Sequence, residues 1–422
     1  MKCQDDLYSV LERRFYILVS NNSSAEQLKT SLVFQNPTNR ILEFGMHAFA
    51  DNFLSTEDLK YSELIYPLNV LLDSKTGMIH NEYLTKAEER YQSKEYSYTS
   101  SNSLTSKQHW KSFLPFFEKI GAKPGDSVLE IGSNDGYLSL LLSEAGFHVN
   151  AVEASKNMHE ISSERGVTTH NYLFNLENAL KIKELIGPVD YVIANNVLNH
   201  ANDPVDFLNG VKKLMKKSGR FIFEVPYWFE QIKHNRFDMI YHEHISYFTL
   251  FSLSNIFSEL EMFIVEVLPI QTHGGSIRVT VGLKRPSQPS VDDWINMELS
   301  ENIFSLNYYH QIANGIKSKK FKFMENIFQN YTNRTLFGIG AAAKANTFLT
   351  YYGLNSTIIK AITDSSQYKV GKFTPLTRIP IVKDDYLSNY QNPVALILSW
   401  NLTNQIKETL FKINKNIEYL EI

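Results

Sequence analysis

The chain is 422 residues long, 43% hydrophobic and 21% charged, a balance that excludes a disordered polypeptide and allows two or three folded domains. A formal net charge of -3, with 42 Lys and Arg spread along the chain, excludes a basic nucleic-acid-binding surface as the main function. The single cysteine, Cys3, excludes an intrachain disulfide and a cysteine-built zinc site.

Met1 to Asp6 carries two acids and leads into no apolar signal core, and no run reaches the ~18 apolar residues of a membrane span. A cytoplasmic protein with no membrane or nucleic-acid partner is expected, and no feature sets an oligomeric state. Residues 1–90 combine short apolar runs, Phe15-Ile17-Leu18-Val19 and Ile41-Leu42, with many turn formers, which predicts a small strand-rich module. The polar segment Tyr96 to Ser103 then precedes a helical pattern through Trp110, Phe113, Phe116 and Phe117, the start of a second domain over 91–285. Strands at Ser127–Ile131, Val149–Glu153, Asp190–Ala194 and Gly219–Glu224 alternate with helices at Tyr137–Ala145 and Pro204–Met215, the pattern of a doubly wound α/β sheet. Two added strands are expected at Phe263–Leu268 and Ser276–Gly282. After the linker signal Lys284 to Ser290 comes a long helix through Tyr308 to Phe328. A second α/β unit over 286–422 begins with the strand and glycine turn Thr335 to Gly340 and continues in strands Ile358–Ile362 and Val394–Leu398.

The segment Val128-Leu129-Glu130-Ile131-Gly132-Ser133-Asn134-Asp135-Gly136 sets two glycines four apart between strand and helix, where a cofactor can approach the backbone. Dinucleotide loops read G-x-G-x-x-G and cradle pyrophosphate. Here Asn134 and Asp135 stand between the glycines, and an acid at that point repels pyrophosphate but suits the positively charged amino acid end of S-adenosylmethionine. The next strand ends in Glu153, a carboxylate placed to accept both ribose hydroxyls. Together these features predict a Rossmann-like S-adenosylmethionine site of Gly132, Asn134, Asp135, Gly136 and Glu153. Asn195 and His200 follow the fourth strand, where open sheets hold ligands; His200 reads equally as a substrate ligand or as a satisfied helix-start histidine.

Tyr241-His242-Glu243-His244-Ile245-Ser246-Tyr247-Phe248 is dense in titratable groups. His242 and His244 lie two apart, unlike the H-E-x-x-H metal spacing; on an extended segment they share one face and Glu243 takes the other. A general base with an orienting neighbour is favoured over a metal site.

This segment resembles the Y-x-E-H-x-x-Y-F signature of the sugar-nucleotide C-methyltransferases of deoxysugar pathways, the tetronitrose, mycarose and noviose enzymes among them. His273-Gly274-Gly275-Ser276-Ile277-Arg278 is similar to their H-G-G-S-x-R turn, and Tyr98 to His109 to their Y-x-x-S-S-x-S…H segment. Gly338 to Thr347 resembles their G-x-G-A-x-A-K-x-N-T loop, followed by Thr363-Asp364 and Tyr368-Lys369-Val370-Gly371-Lys372. The resemblance spans nearly the whole chain in order. It implies a methyl-donor site in the middle domain, to which Tyr98 is added, and a nucleotide-sugar site in the last, carried onto Lys344, Asn346 and Lys372. Methyl transfer to carbon needs an enolate, for which His244 is expected as base, Glu243 as its orienting or tuning neighbour and Tyr241 as stabiliser of the enolate oxygen, with His200, Glu224, His273 and Arg278 as secondary catalytic or substrate-binding candidates.

Members of that family carry paired C-x-x-C zinc ligands around a G-x-x-P-L-A-N-x-F-L stretch. Gly45 to Leu54 keeps that stretch, but Arg13-Arg14-Phe15 and Asp73 to Gly77 stand where thiolates belong, so a metal-free module is expected. The resemblance implies methyl transfer to carbon, C3 of a 4-keto nucleotide-linked deoxysugar. Transfer to a hydroxyl or amine, or a non-catalytic nucleotide-sugar-binding scaffold, are the competing readings.

Overall fold

The computed structural model describes residues 25–92, 95–286 and 291–420. Cys3, Arg13-Arg14-Phe15, the run Phe15 to Val19 and the 287–290 part of the linker lie outside them.

The early strands are β1 (Glu26–Gln27), which is polar and exposed, and β2 (Asn39–His47), β3 (Tyr66–Asp73), β4 (Met78–Asn81) and β5 (Tyr83–Leu84), which carry the short apolar runs between turn residues. β2, β3 and β4 pair antiparallel. Beside them the buried carboxylate of Glu82 accepts from Arg40 Nε and Nη2 (2.9 Å each), Gln27 (2.9 Å) and Asn69 (2.8 Å). Four donors on one carboxylate hold this part together by hydrogen bonds and charge. Among the described residues no group of three or more His, Cys, Asp or Glu is arranged to hold a metal ion.

The middle of the chain supplies β6 (Ser127–Ile131), β7 (His148–Val152), β8 (Thr169–His170), β9 (Val189–Asn195), β10 (Met215–Pro226), β11 (Ser246–Tyr247), β12 (Phe263–Ile270) and β13 (Ser276–Gly282). Seven of these form one sheet in the order β12-β13-β10-β9-β6-β7-β8, parallel except for β12 and β13. The two added strands expected at 263–268 and 276–282 are this antiparallel edge. Period-two alternation builds a core on each face: Val128, Tyr191, Ile193 and Ile222 pack with Trp110, Phe113, Phe116 and Phe117, while Leu129, Val192, Phe221 and Phe223 pack on the other side. Asp203 caps the helix Pro204–Leu214 by accepting the Asp206 N–H, with proline at its first position. β11 leaves this region and pairs with β4, so a middle segment completes the early sheet and carries the 241–245 turn against it.

The last sheet, β14 (Leu336–Ile339), β15 (Ile359–Thr363), β16 (Ile381–Val382), β17 (Val394–Ile397) and β18 (Glu418–Leu420), is parallel in the order β16-β15-β14-β17-β18. The 25-residue helix Leu306–Asn330 turns Tyr309, Ile316, Phe323 and Ile327 into a core shared by β2, β3 and the last sheet. The helices Leu250–Glu259 and Asp292–Ser300 escaped the sequence reading. Buried Glu298 of the second accepts the Leu250 and Phe251 N–H groups at the start of the first. No helix among the described residues is long and apolar enough to cross a membrane.

Candidate active site

The carboxyl ends of β6, β7, β9 and β10 open into a cavity of about 1520 Å³ whose far wall is the last α/β unit. Single small-molecule sites run to roughly 300–1,000 Å³, so there is room for two ligands.

At one end lies the loop after β6. Gly132 has φ 68°, and a Cβ there would overlap Val197, so the turn requires glycine. Glu153, at the end of β7, accepts the Asn134 and Ser155 N–H groups (2.8 Å each) and lines the cavity. Asn134 in turn ties down the segment before the helix Leu104–Lys111: its Oδ1 accepts the Ser100 N–H (2.7 Å) and its Nδ2 donates to Tyr98 O (3.0 Å). Ser133 Oγ and both amide atoms of Asn195 are buried without protein partners and sit on the wall, the pattern of groups awaiting a polar ligand. Tyr98 lines the same end. Glu130, which the motif reading passed over, also lines it; burial pushes its carboxyl up to about 8 against the bond from Ser139 Oγ (2.5 Å).

Two expected cofactor residues face elsewhere. The loop's turn aims Asp135 away from the cavity, at Ser100 Oγ (2.5 Å), Ser101 and Arg165 (3.2 Å), so its charge fastens the Tyr98–Ser101 segment. Gly136 is needed for close packing, since a Cβ there would strike Ser162 on the neighbouring helix.

Toward the other end stands the 241–244 segment, which is a tight turn rather than an extended strand, closed by the His244 N–H donating to Tyr241 O (3.0 Å). Strict alternation therefore fails. His242 is buried against Phe49 and Tyr66 and approaches Tyr66 O (3.2 Å), while Tyr241, Glu243 and His244 all line the cavity. A carbonyl can only accept, so Nδ1–H of His244 donates to Met239 O (2.9 Å) and Nε2 accepts the Tyr241 hydroxyl (2.6 Å). The orienting partners of His244 are thus Met239 and Tyr241, not Glu243. Burial holds the His244 imidazole down at about 3, neutral across the physiological range.

Glu243 Oε1 accepts the Asp51 N–H (2.9 Å), and Oε2 is buried with no partner. Burial first, opposed by that backbone bond and then reinforced by the Asp51 charge, raises its carboxyl to about 7. The Asp51 carboxylate, held by Ser97 Oγ (2.8 Å), lines the cavity beside it. The His200 ring stands edge-on to that of His244 at 4.9 Å, with Nδ1 2.6 Å from the Tyr91 hydroxyl. Burial, with His244 and Arg90 adding to it, keeps His200 neutral.

On β10, Glu224 is fully buried and lines the cavity, bound by Arg278 Nε (2.8 Å) and Nη2 (2.6 Å) and by His109 Nε2 (2.7 Å). Burial works against its charge, yet His109 and Arg278 outweigh it and lower its pKa. Arg278 does not reach the cavity; it stacks over Phe113 (4.0 Å) and Phe116 (4.7 Å) and acts on the site only through Glu224. His273, in a left-handed conformation at φ 52°, presents a buried, unpartnered Nδ1 to the cavity wall.

From the last unit, Lys344 Nζ lies 3.8 Å over the Trp400 ring and donates to Asn401; burial lowers it to about 8. Lys372 does not line the cavity. Its neighbour Lys369 does, donating to Ala341 O (2.8 Å), because the turn at 366–372 points the earlier lysine inward. Asn346 is also off the wall, donating instead to Ala50 O (2.6 Å).

A family model described as "C-methyltransferase C-terminal domain" matches residues 271–417, and one described as "Methyltransferase domain" matches 105–266. C-methyltransferase NovU of Streptomyces niveus is 30% identical over 386 residues, 90% of each chain. This chain belongs to the C-methyltransferase family. It is an S-adenosylmethionine-dependent C-methyltransferase with a Rossmann-like methyltransferase fold. A ubiquinone biosynthesis O-methyltransferase of Caulobacter vibrioides is 34% identical over 114 residues, but this covers 25% of the chain and 44% of that protein.

Proposed function

We propose that this C-methyltransferase methylates C3 of a 4-keto nucleotide-linked deoxysugar in surface-polysaccharide or antibiotic-sugar biosynthesis, in the cytoplasm. Residues 91–285 hold the methyl donor and 286–422 the nucleotide sugar, and the first module, 1–90, brings Asp51 to the cavity wall. The observation that carries the reading is the fixed pair Tyr241–His244 on the cavity wall, with Nδ1 locked to Met239 and Nε2 facing the phenol.

Glu153, Asn195, Ser133 and the Gly132–Asn134 backbone would hold S-adenosylmethionine, and the unpartnered buried atoms of Ser133 and Asn195 fit its polar groups. Bound there, it supplies an electrophilic sulfonium methyl. The chain must then make a carbon nucleophile. A C4 ketone acidifies the C3 proton, and removing it leaves the electron pair on an enolate. Because the phenol proton already points at His244 Nε2, the C3 proton passes to Tyr241 oxygen as the phenol proton passes to His244. His244 is thus the base, reached through Tyr241. This modifies the expected role of Tyr241, whose only proton is committed to the imidazole and is not free to stabilise the enolate oxygen. Glu243 lines the cavity and its Oε2 has no partner among the described residues, so that oxygen accepts a sugar hydroxyl. His200, Glu224 and His273 line the acceptor region, and Lys344 with Lys369 faces the diphosphate.

A second reading makes Glu243 the base, favoured by its unpartnered Oε2 and a carboxyl raised to about 7. Incubation with S-adenosylmethionine and a panel of 4-keto nucleotide sugars, followed by mass spectrometry, tests the substrate. Methyl gain is expected with at least one ketosugar and with none of the corresponding 4-hydroxy sugars. Equal gain on the 4-hydroxy sugars would overturn the enolate chemistry.

A further inference from the structure

Asn346 stands off the cavity, 3% exposed, on the first turn of the helix Ala343–Tyr352. The same turn presents Lys344 to the cavity. Asn346 Nδ2 donates to the carbonyl of Ala50 (2.6 Å), and the N–H of Asp51 donates to Glu243 Oε1 (2.9 Å). That carbonyl and that N–H belong to one peptide group. The Ala50–Asp51 amide therefore bridges a side chain of the last unit and the Glu243 carboxylate, taking a hydrogen bond at one end and giving one at the other.

We infer that Asn346 is a positioning residue for the reaction, fixing Glu243 through the Ala50–Asp51 peptide and tying the carboxylate to the loop that carries Lys344. A hydrogen bond at the carbonyl polarises the amide and strengthens what its N–H donates. It also stops the peptide plane from rotating, and rotation would swing the N–H off Oε1. The Asp51 N–H is the first influence after burial on Glu243, and it favours the ionised carboxylate. Weakening it makes the carboxylate a poorer acceptor and a harder group to ionise. Among the described residues Oε2 has no hydrogen-bond partner, and the Asp51 N–H on Oε1 is the strongest of the backbone groups that hold the carboxylate. The inference rests on the reading of Glu243 given above and holds whether Glu243 binds the acceptor or takes its proton.

The test is the pH dependence of kcat/KM for the acceptor in four full-length proteins: wild type, Asn346→Ala, the isosteric Asn346→Asp and Glu243→Gln, with Asn346→Ala also placed on the Glu243→Gln background. Asn346→Asp keeps the shape and loses the amide donor, so it serves if the alanine protein folds poorly; thermal melting identifies the folded proteins. Both Asn346 variants are expected to move the acid limb upward from about pH 7 and to lower kcat/KM about tenfold at neutral pH, with S-adenosylmethionine affinity unchanged. On the Glu243→Gln background the Asn346 substitution should add less than about a twofold loss, because linked residues do not act additively. An unmoved limb in a folded Asn346 variant, or losses that multiply in the double variant, overturns the inference while leaving Glu243 in its role. Full activity of Glu243→Gln overturns the role of Glu243 and the inference with it.

Discussion

Replacing Arg278 by methionine removes the guanidinium partner of a fully buried carboxylate and leaves it His109 alone. Glu224 is 0% exposed and has two hydrogen bonds, one from Arg278 Nε and one with His109 Nε2, with Arg278 Nη2 adding a close charge contact. Methionine retains apolar contact with Phe113 and Phe116 but gives Glu224 nothing. Breaking a buried pair from one side costs about 3–5 kcal/mol, because the orphaned charge remains buried. Glu224 has a lowered pKa in the folded protein, so its pairing adds stability above the unfolded carboxylate pKa of about 4.3 and that stability is lost as pH falls through the folded value. The Arg278→Met deficit should therefore be full at pH 7 and shrink toward acid. Urea unfolding followed by circular dichroism at several pH values measures it. The double variant Arg278→Met/Glu224→Met, which removes both charges, should regain most of the loss. A single-variant loss under about 1 kcal/mol, or a double variant no more stable than the single, would refute a desolvated charge pair as the reason Arg278 is buried.

Tyr241→Phe breaks the proton path while sparing the ring, and is expected to lower kcat by about 10²–10⁴ with little change in S-adenosylmethionine affinity; a wild-type kcat would remove Tyr241 from the path. His244→Ala should abolish turnover and leave donor binding, measured by calorimetry, intact. Activity should fall below about pH 7 as Glu243 takes up a proton, and a limb confined to kcat/KM marks acceptor binding whereas one also in kcat marks the base role. Glu130 has a raised pKa, so its contribution to stability is complete below the unfolded carboxylate range and is lost as pH rises through about 8. Glu130→Gln should accordingly raise the melting temperature at pH 8.5 relative to wild type and change little at pH 5. Glu153→Ala should weaken S-adenosylmethionine binding at least tenfold with acceptor KM nearly constant, since it removes a charged acceptor from the donor end alone.

The donor end was legible because its chemistry is local. Strand, glycine turn, helix and the acid closing the next strand are all encoded within Val128 to Glu153, but that the turn aims Asp135 at Ser100 and Ser101 instead of into the cavity is not. The acceptor end was legible as a set of residues but not as a geometry. Glu243 and His244 were visible by type, yet nothing in Tyr241-His242-Glu243-His244 announces a turn that sends His242 to Tyr66 and keeps its neighbours on the wall. Asp51, Tyr91 and His109 reach the cavity from three separate stretches, and only tertiary packing brings them together. Two of them lay in view, Asp51 within Gly45 to Leu54 and His109 at the end of the Tyr98 segment; Tyr91 carried no signal. Lys369 and Lys372 differ by less than a turn of chain, and the hydrogen bond to Ala341 O, absent from any sequence pattern, selects the first.

The reaction itself is tested most directly by following carbon-13-labelled methyl from S-adenosylmethionine onto a 4-keto nucleotide sugar uniformly labelled in its hexose, with the product read by NMR. A one-bond carbon–carbon coupling between the new methyl and C3 is predicted. A methyl coupled to another ring carbon would contradict the assigned position, and a methyl with no one-bond carbon partner, and so attached to oxygen, would contradict the enolate account as a whole.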